Sequence, residues 1–426
     1  MKPAHLATLA VLCCALRAPA EAATDAAPPP PSSQPLTLEH CYQLALKRSE
    51  TIAIQQELLK ETEGRFLQAF SGVLPRASFS SSDKRQDGSG SSAFTLKEVP
   101  ERKFTFSQPL FAGFKEFAAM AGSRAQRRQR RHEKTRAEHL LLVDVANAFH
   151  LLLEEREDLG ALETIRTALL DRIEELSHRE QLGRSRRSEV VSAEAQLRRM
   201  EAELEDSRGA ERTARQLLAF LTGLDTIEAV ADDEVLPTTP EPEERYVAKA
   251  ALRPDVQAAQ EAWQVANKQV AVVRGAAWPT VDVEGNYYVD RAGAAEDGKW
   301  DVALLVDVPI FQGGKNLGAV KEATSQARAA ELQFERAERS AALDIRDAYA
   351  ELEAALARMR ALELALSATE ENYRLQTEDY RLNLVSNLDV LKALEELQDT
   401  HRDVIHARHE AKRLYWRLRV ATGETL

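Results

Sequence analysis

Apolar residues along this chain recur with two different periods, and the switches between them divide it. From about Leu38 to Phe70 the spacing is helical, and Val73-Leu74-Pro75 stops the run. Residues 76–82 and 102–108 alternate instead: Phe104 and Phe106 share one face, while Lys103, Thr105 and Ser107 share the other. Between them, Asp83 to Glu101 is rich in Ser and Gly and reads as a loop. Gln108-Pro109-Leu110-Phe111-Ala112-Gly113 closes this part. Helical spacing then runs from Phe114 to about Leu182 and again from about Ser188 to Leu221. After a Pro- and acid-rich stretch the programme restarts. A helix is expected over about Glu244 to Arg274, a stop at Ala277-Trp278-Pro279, strands over about 280–289 and 299–308, and long helices to about Thr422. In these later strands Val281, Val283 and Tyr287 oppose Asp282, Glu284 and Asn286; Val302, Leu304, Val306 and Val308 oppose Asp301, Ala303, Leu305 and Asp307.

The two halves are an internal repeat. Pro109 and Pro309, Phe111 and Phe311, Gly113 and Gly313, Leu182 and Leu382, Val190 and Val390 all lie 200 positions apart. Biased composition produces scattered Ala and Leu matches, but not Pro and Gly punctuation held at one spacing. Pro75 and Pro279 lie 204 apart, so the length difference falls between the helix stop and the strand exit, most simply in the hairpin loop, where insertions are tolerated.

Physics constrains what such a chain becomes. A helix of nearly 70 residues is roughly 100 Å long at 1.5 Å per residue, more than one globular core covers, so it needs coiled-coil neighbours. Ile345, Tyr349, Leu352, Leu356 and Met359 step by 4 and 3, as do Val390, Leu394, Leu397, His401 and Val404. Between Leu140 and Leu153 apolar residues surround most of the helix, which implies neighbours on several sides. The strands pose the opposite problem. Four of them cannot close a membrane barrel, whose smallest common form has about eight. An open edge in lipid leaves backbone groups unpaired. If they enter a membrane, they must combine with strands of other copies. Alternation alone fits the amphipathic strands of a soluble sheet equally well.

Charge and composition narrow the classes. The chain has 426 residues, a formal charge of −12 and 6% aromatic residues. An acidic balance argues against nucleic acid as a partner. Met1-Lys2, the apolar run Leu6 to Leu16 and the small residues around Ala18 to Ala22 read as a secretory signal. Cys13 and Cys14 lie inside it, and Leu12 before Cys13 does not suit lipidation. Cys41 is then the sole mature cysteine, which leaves no intrachain disulfide. Past the signal no stretch approaches 18 consecutive apolar residues, so no transmembrane helix is expected, whereas barrel strands stay cryptic in hydropathy. The expected organisation is a signal at 1–23, a linker at 24–36, a first repeat at 37–224, a connector at 225–243, a second repeat at 244–423 and a tail at 424–426.

The duplicated layout, Leu74-Pro75 and Trp278-Pro279 before the strands, the two strand exits, and Tyr380, Ser386 and Leu388-Asp389-Val390-Leu391 resemble the TolC-like outer-membrane efflux family over nearly the whole mature chain. That resemblance implies a mainly α protein with a small β part. Three copies would give a 12-stranded outer-membrane barrel, continued by a long periplasmic α-helical tube. It implies a homotrimer in outer-membrane lipid that works with a periplasmic adaptor protein and an inner-membrane transporter. The function implied is efflux of drugs, metals or other small molecules, or type I secretion, without a cofactor or catalysis. Pro109, Gly113, Pro309 and Gly313 would mark the passage from strand to helix. Asp389 and its repeat mate Glu189 would sit at the pore aperture. Asn383 stands where the family usually has Gly, and Arg184, Arg186 and Arg187 make this aperture less acidic. Asp389 also reads as a first-turn residue stabilised by the helix dipole, a role that needs no pore. The alternative reading of the whole is a periplasmic coiled-coil adaptor or scaffold without a barrel.

Other features carry less. The basic run Arg124, Arg127, Arg128, Arg130, Arg131, Lys134 and Arg136 reads as a solvated helix face or an anionic contact. His406 and His409, three apart, read as a surface pair. No nucleophile elbow, P-loop or zinc signature occurs.

Overall fold

The computed structural model describes residues 35–92, 95–294 and 296–426. The expected signal and residues 24–34 of the expected linker lie outside them. The first repeat contains α1 (Leu38–Arg48), α2 (Glu50–Ser71), β1 (Arg76–Arg85), β2 (Glu98–Ala112), α3 (Lys115–Gln181) and α4 (Arg187–Thr222). The second contains α5 (Glu243–Val247), a 3-10 turn (Ala250–Leu252), α6 (Pro254–Gly275), β3 (Thr280–Arg291), β4 (Trp300–Asp307), α7 (Lys315–Arg381) and α8 (Asn387–Ala421). Both α3 and α7 have 67 residues, about 100 Å each.

Two expected helices are broken, for identifiable reasons. Ser49 interrupts the first with extended backbone, and its hydroxyl accepts from the Ile52 amide to cap α2. In the second, Pro254 excludes Arg253 from helical geometry (φ −60°, ψ 138°) and itself becomes the first residue of α6. The first-half strands are longer than the alternation suggested, because β1 extends to Arg85 and β2 spans Glu98–Ala112.

The strands form one antiparallel sheet in the order β1-β2-β3-β4. Register places Phe79, Phe104, Tyr287 and Trp300 in one row across all four strands, on a single face. Phe106 and Val302 flank Gly285 on that face, and Leu304 pairs with Val283. Phe79, Phe106, Val302, Leu304 and Val306 are all exposed. The opposite face is polar: Thr105 Oγ1 donates to Asn286 Oδ1 (2.7 Å), and Asn286 Nδ2 donates to Asp301 Oδ1 (3.0 Å).

Below the sheet, α3 packs against α2 and α6, then against α4 and α8 further along; α7 packs against α6 and α8. The cores are strung along this bundle. Leu142, Val145, Phe149, Leu152, Leu218 and Trp416 form one. Leu162, Ile165, Leu169, Leu176, Val190 and Leu394 form a second near the far end. Ile345, Leu352 and Leu356, where the 4,3 spacing expected them, form a third with Leu418. Cys41 is buried and free, and burial pushes its thiol up to about 12.

The connector is fastened across the bundle. Leu36 bridges Val230. Trp416 Nε1 donates to Glu234 (2.9 Å), His150 Nε2 lies 3.1 Å from the same carboxylate, and Lys412 pairs with Asp232. His409 is fully buried beside His150, with Nε2 3.3 Å from Glu157, so it is not the surface residue its spacing suggested. His406 is the exposed member and contacts Glu154 through Nδ1. The basic run is largely paired. Arg128 holds Glu261 with two bonds of 2.8 Å, Arg127 reaches Glu63 (2.8 Å), Arg136 reaches Asp255 (3.6 Å), and Arg124 covers the Phe66 ring.

Candidate functional site

Two regions gather the expected site residues: the helix reversals at the far end, and the passages between sheet and helices. Each reversal is built the same way. The last turn of α3 ends at Leu182, Gly183 takes φ 70°, and the Arg184 amide returns to the Arg179 carbonyl (2.8 Å). The last turn of α7 ends at Leu382, Asn383 takes φ 61°, and the Leu384 amide returns to Asp379 (2.9 Å). This left-handed cap closes a helix in few residues, and Asn is among the side chains that tolerate it.

The helices that follow start differently. Ser386 caps α8, and both its backbone amide (3.0 Å) and its hydroxyl (2.6 Å) donate to Asp389 Oδ2. These bonds hold the Asp389 carboxyl below its ordinary range. Arg186 occupies the matching position before α4 and makes no side-chain cap, so Ser185 donates to Glu189 instead (2.6 Å). Asp389 is exposed and Glu189 half-buried. The first-turn reading of Asp389 therefore fits its hydrogen bonds to Ser386 at the start of α8.

Behind the reversals lies a group that periodicity pointed past. Arg172 is buried on α3; its Nε donates to Asn387 Oδ1 (2.9 Å) and its Nη1 to Glu175 (2.7 Å). The guanidinium also lies 3.9 Å from the Tyr380 ring centroid, with Arg179 4.7 Å from the same ring. One arginine thus ties the α3/α4 hairpin to the α7/α8 hairpin. The sequence held a signal for it: Leu162, Ile165, Leu169, Arg172 and Leu176 step by 3 and 4, so Arg172 is a charge on an apolar seam. Further along the same interface, Arg402 bridges Asp158 (2.7 Å) and Glu203 (3.3 Å).

At the other end, Gly113 takes φ 66°, and a Cβ there would lie 2.2 Å from the Gly275 carbonyl oxygen. Both conformation and contact demand glycine. Gly313 (φ 58°) and Gly314 (φ 84°) have open space around them, so only their conformation does. Pro309 follows the end of β4. Pro109 does not end its ladder: it lies inside β2 opposite Asp282, at a register shift. β1 begins opposite Ser107, so past that point β2 has a partner on one side only, where proline is tolerated.

This geometry is a sheet with one exposed apolar face, joined through two glycine turns to paired helices about 100 Å long that reverse at charged tips. Residues 247–424 match the family model described as outer membrane efflux protein. The second repeat thus resembles the outer-membrane efflux proteins. The outer membrane efflux protein BepC of Brucella suis is 23% identical over 325 residues, covering 74% of this chain and 70% of that protein. The outer membrane protein TolC of Vibrio cholerae is 22% identical over 295 residues, covering 66% and 67%. The solved structure of the outer membrane protein VceC from Vibrio cholerae has a TM-score of 0.80 at 22% identity, covering 91% of this chain and 96% of that one. The TolC-like fold thus extends over the first repeat as well, beyond the residues matched by the family model.

Proposed function

We propose that this chain is one protomer of a trimeric channel-tunnel that exports solutes across the outer membrane. The observation that carries the reading is the sheet. Its strands present an apolar face that on β3 runs from the half-buried Val281 and Val283 to the exposed Tyr287 and Val289, roughly 25 Å along the strand, comparable with the apolar band of an outer-membrane barrel. β1 and β4 are free edges. Lipid tolerates such a sheet only when it is closed, and three copies close it with 12 strands. The helices point the same way. Exposed Ile54, Leu67 and Phe70 on α2, and exposed Leu317, Leu332 and Leu343 on α7, mark the two outer helices of the protomer for a neighbour. A periplasmic scaffold needs neither the apolar sheet face nor its open edges.

In this reading the helices form a periplasmic tube whose lumen passes solutes without reacting with them. An adaptor protein and an inner-membrane pump engage the tube and supply the driving force. Pro109, Gly113, Pro309 and Gly313 form the barrel-to-tube junctions. Asp389 and Glu189 line the aperture, and Arg172 with Tyr380 and Asn387 holds the hairpins together there. Membrane fractionation and planar-bilayer recording test the reading together. Heat-resistant trimers in the outer-membrane fraction that form conducting channels are expected. Folded monomer confined to the soluble periplasmic fraction would reject it.

A further inference from the structure

The sheet is charged unevenly. Within its interior, charges find partners in the same chain: Lys103 pairs with Glu101 (3.1 Å), Arg102 with Asp290 (3.6 Å), and Asn286 bridges Glu284 and Asp301. The outer edges differ. On the polar face of β1, Ser78, Ser80 and Ser82 lie between Arg76 at the base and Lys84 at the top. On the polar face of β4, Asp301 stands at the top and Asp307 at the base. Arg76, Lys84 and Asp307 are exposed and have no ion-pair partner among the described residues. One free edge is therefore basic and the other acidic, with the charges at matching ends. Asp301 already takes Asn286 and Tyr288 as donors, with Arg291 and Lys103 nearby, and a carboxylate with about four acceptor positions has room for a further donor.

We infer that the seam between copies is charge-matched: β1 of one copy pairs with β4 of the next, antiparallel, with Lys84 opposite Asp301 and Arg76 one diagonal step from Asp307 on the polar side, since the two basic residues are eight positions apart and the two acidic ones six. The apolar sides of both edges, Ala77 and Phe79 on β1 and Val302, Leu304 and Val306 on β4, then continue one outer surface. Opposite charges across paired strands favour the register, and like charges directly opposite penalise β1–β1 or β4–β4 pairing. The seam therefore selects head-to-tail closure, which is what a ring requires. This inference rests on the trimeric barrel proposed above and adds how its copies recognise each other.

The test reverses each edge and then both, in the full-length chain expressed in the outer membrane. R76E with K84E, or D301K with D307K, is expected to leave roughly tenfold less heat-resistant trimer on gels. All four reversals together restore most of it. Reversals that leave trimer yield unchanged, or a fourfold exchange no better than either pair, overturn the seam. A second measurement does not depend on tolerating reversed charge. Cysteine pairs R76C/D307C and K84C/D301C, oxidised in membranes, are expected to give inter-subunit disulfides through at least one pair. Membrane-embedded trimers that cross-link through neither pair overturn the seam and leave the barrel standing. Soluble monomer would instead count against the barrel itself.

Discussion

Helices α3 and α7 are repeat mates of equal length, yet they live in different surroundings. α3 buries 17 of its residues and α7 only 10, because α3 lies between α2 and α6 and then between α4 and α8, whereas α7 has α6 and α8. The sequences anticipate this. The stretch of α3 with Leu142, Val145, Phe149 and Leu152 is apolar most of the way round, and the matching stretch of α7 holds its stripe at Ile345, Leu352 and Leu356 while leaving Leu343 exposed. Duplication supplied two copies of one design, and position in the bundle made one interior and the other an edge. The contrast recurs at both ends. Gly113 is crowded and Gly313 is not; Asp389 is capped by Ser386 and Glu189 lies in a turn without that cap.

The largest effect is expected at the crowded junction. Gly113→Ala places a Cβ 2.2 Å from a backbone oxygen and forces left-handed geometry on a residue that resists it, at a cost of ~3 kcal/mol or more. Gly313→Ala meets only the conformational part, about 1–2 kcal/mol. Folded yield in the membrane fraction and the temperature of trimer dissociation measure both. Equal losses at the two positions would break the comparison.

Much of this architecture was legible because its signals are long. The repeat, the switch of period and the Pro–Gly punctuation each extend over many residues. Local devices were less so. The break at Ser49 is a single cap inside an unbroken apolar pattern, and the break at Arg253 is one proline inside another. In sequence Pro109 marks a strand end, because ladder pairing normally needs an amide. The pattern could not show that β1 starts too late to ask for one. Arg172 was visible as a charge on a seam, but its partners Tyr380 and Asn387 lie more than 200 positions away, and only packing brings them together. Its repeat mate is Asn372, so duplication gave no hint.

Arg172 supplies the next contrast, with Arg374 near the same end of α7. Arg172→Ala leaves the buried Asn387 oxygen unpaired and removes the stack on Tyr380, a loss of about 2 kcal/mol. The hairpins should separate more readily, seen as longer open times in single-channel records. Arg374 also makes two ion pairs, to Glu371 and Glu378, but on an exposed helix face; Arg374→Ala should leave gating as it was. Indistinguishable records from the two variants would remove Arg172 from the tie between hairpins.

A smaller effect separates the buried histidines from the exposed one. Burial holds the His150 pKa below the ordinary imidazole value, with Glu234 opposing, and burial with nearby Arg136 does the same for His139. The folded rings resist a proton that the unfolded chain takes up near pH 6.5. Their contribution is therefore complete above that value and is lost as pH falls from it toward the depressed folded values. Dissociation temperature should drop between pH 7.5 and about 5. H150Q keeps a donor for Glu234 without the titration and should flatten the drop. A variant that tracks the parent at every pH would clear His150 of the effect.

Asp389 and Glu189 give the finest test, because their roles in the fold can be separated from the pore roles proposed for them. Asp389→Asn keeps an acceptor for the Ser386 amide and hydroxyl while removing the charge, so the α8 cap survives. If the carboxylates form a ring at the aperture, cation selectivity in planar bilayers falls while trimer stability holds. Glu189→Gln should act in the same direction but less. Glu189 is half-buried under Ser185, and Arg184, Arg186 and Arg187 surround its turn with positive charge. Unchanged reversal potentials in Asp389→Asn would leave the carboxylate as a helix cap alone, and a larger shift in Glu189→Gln would place the narrowest ring on the first repeat instead of the second.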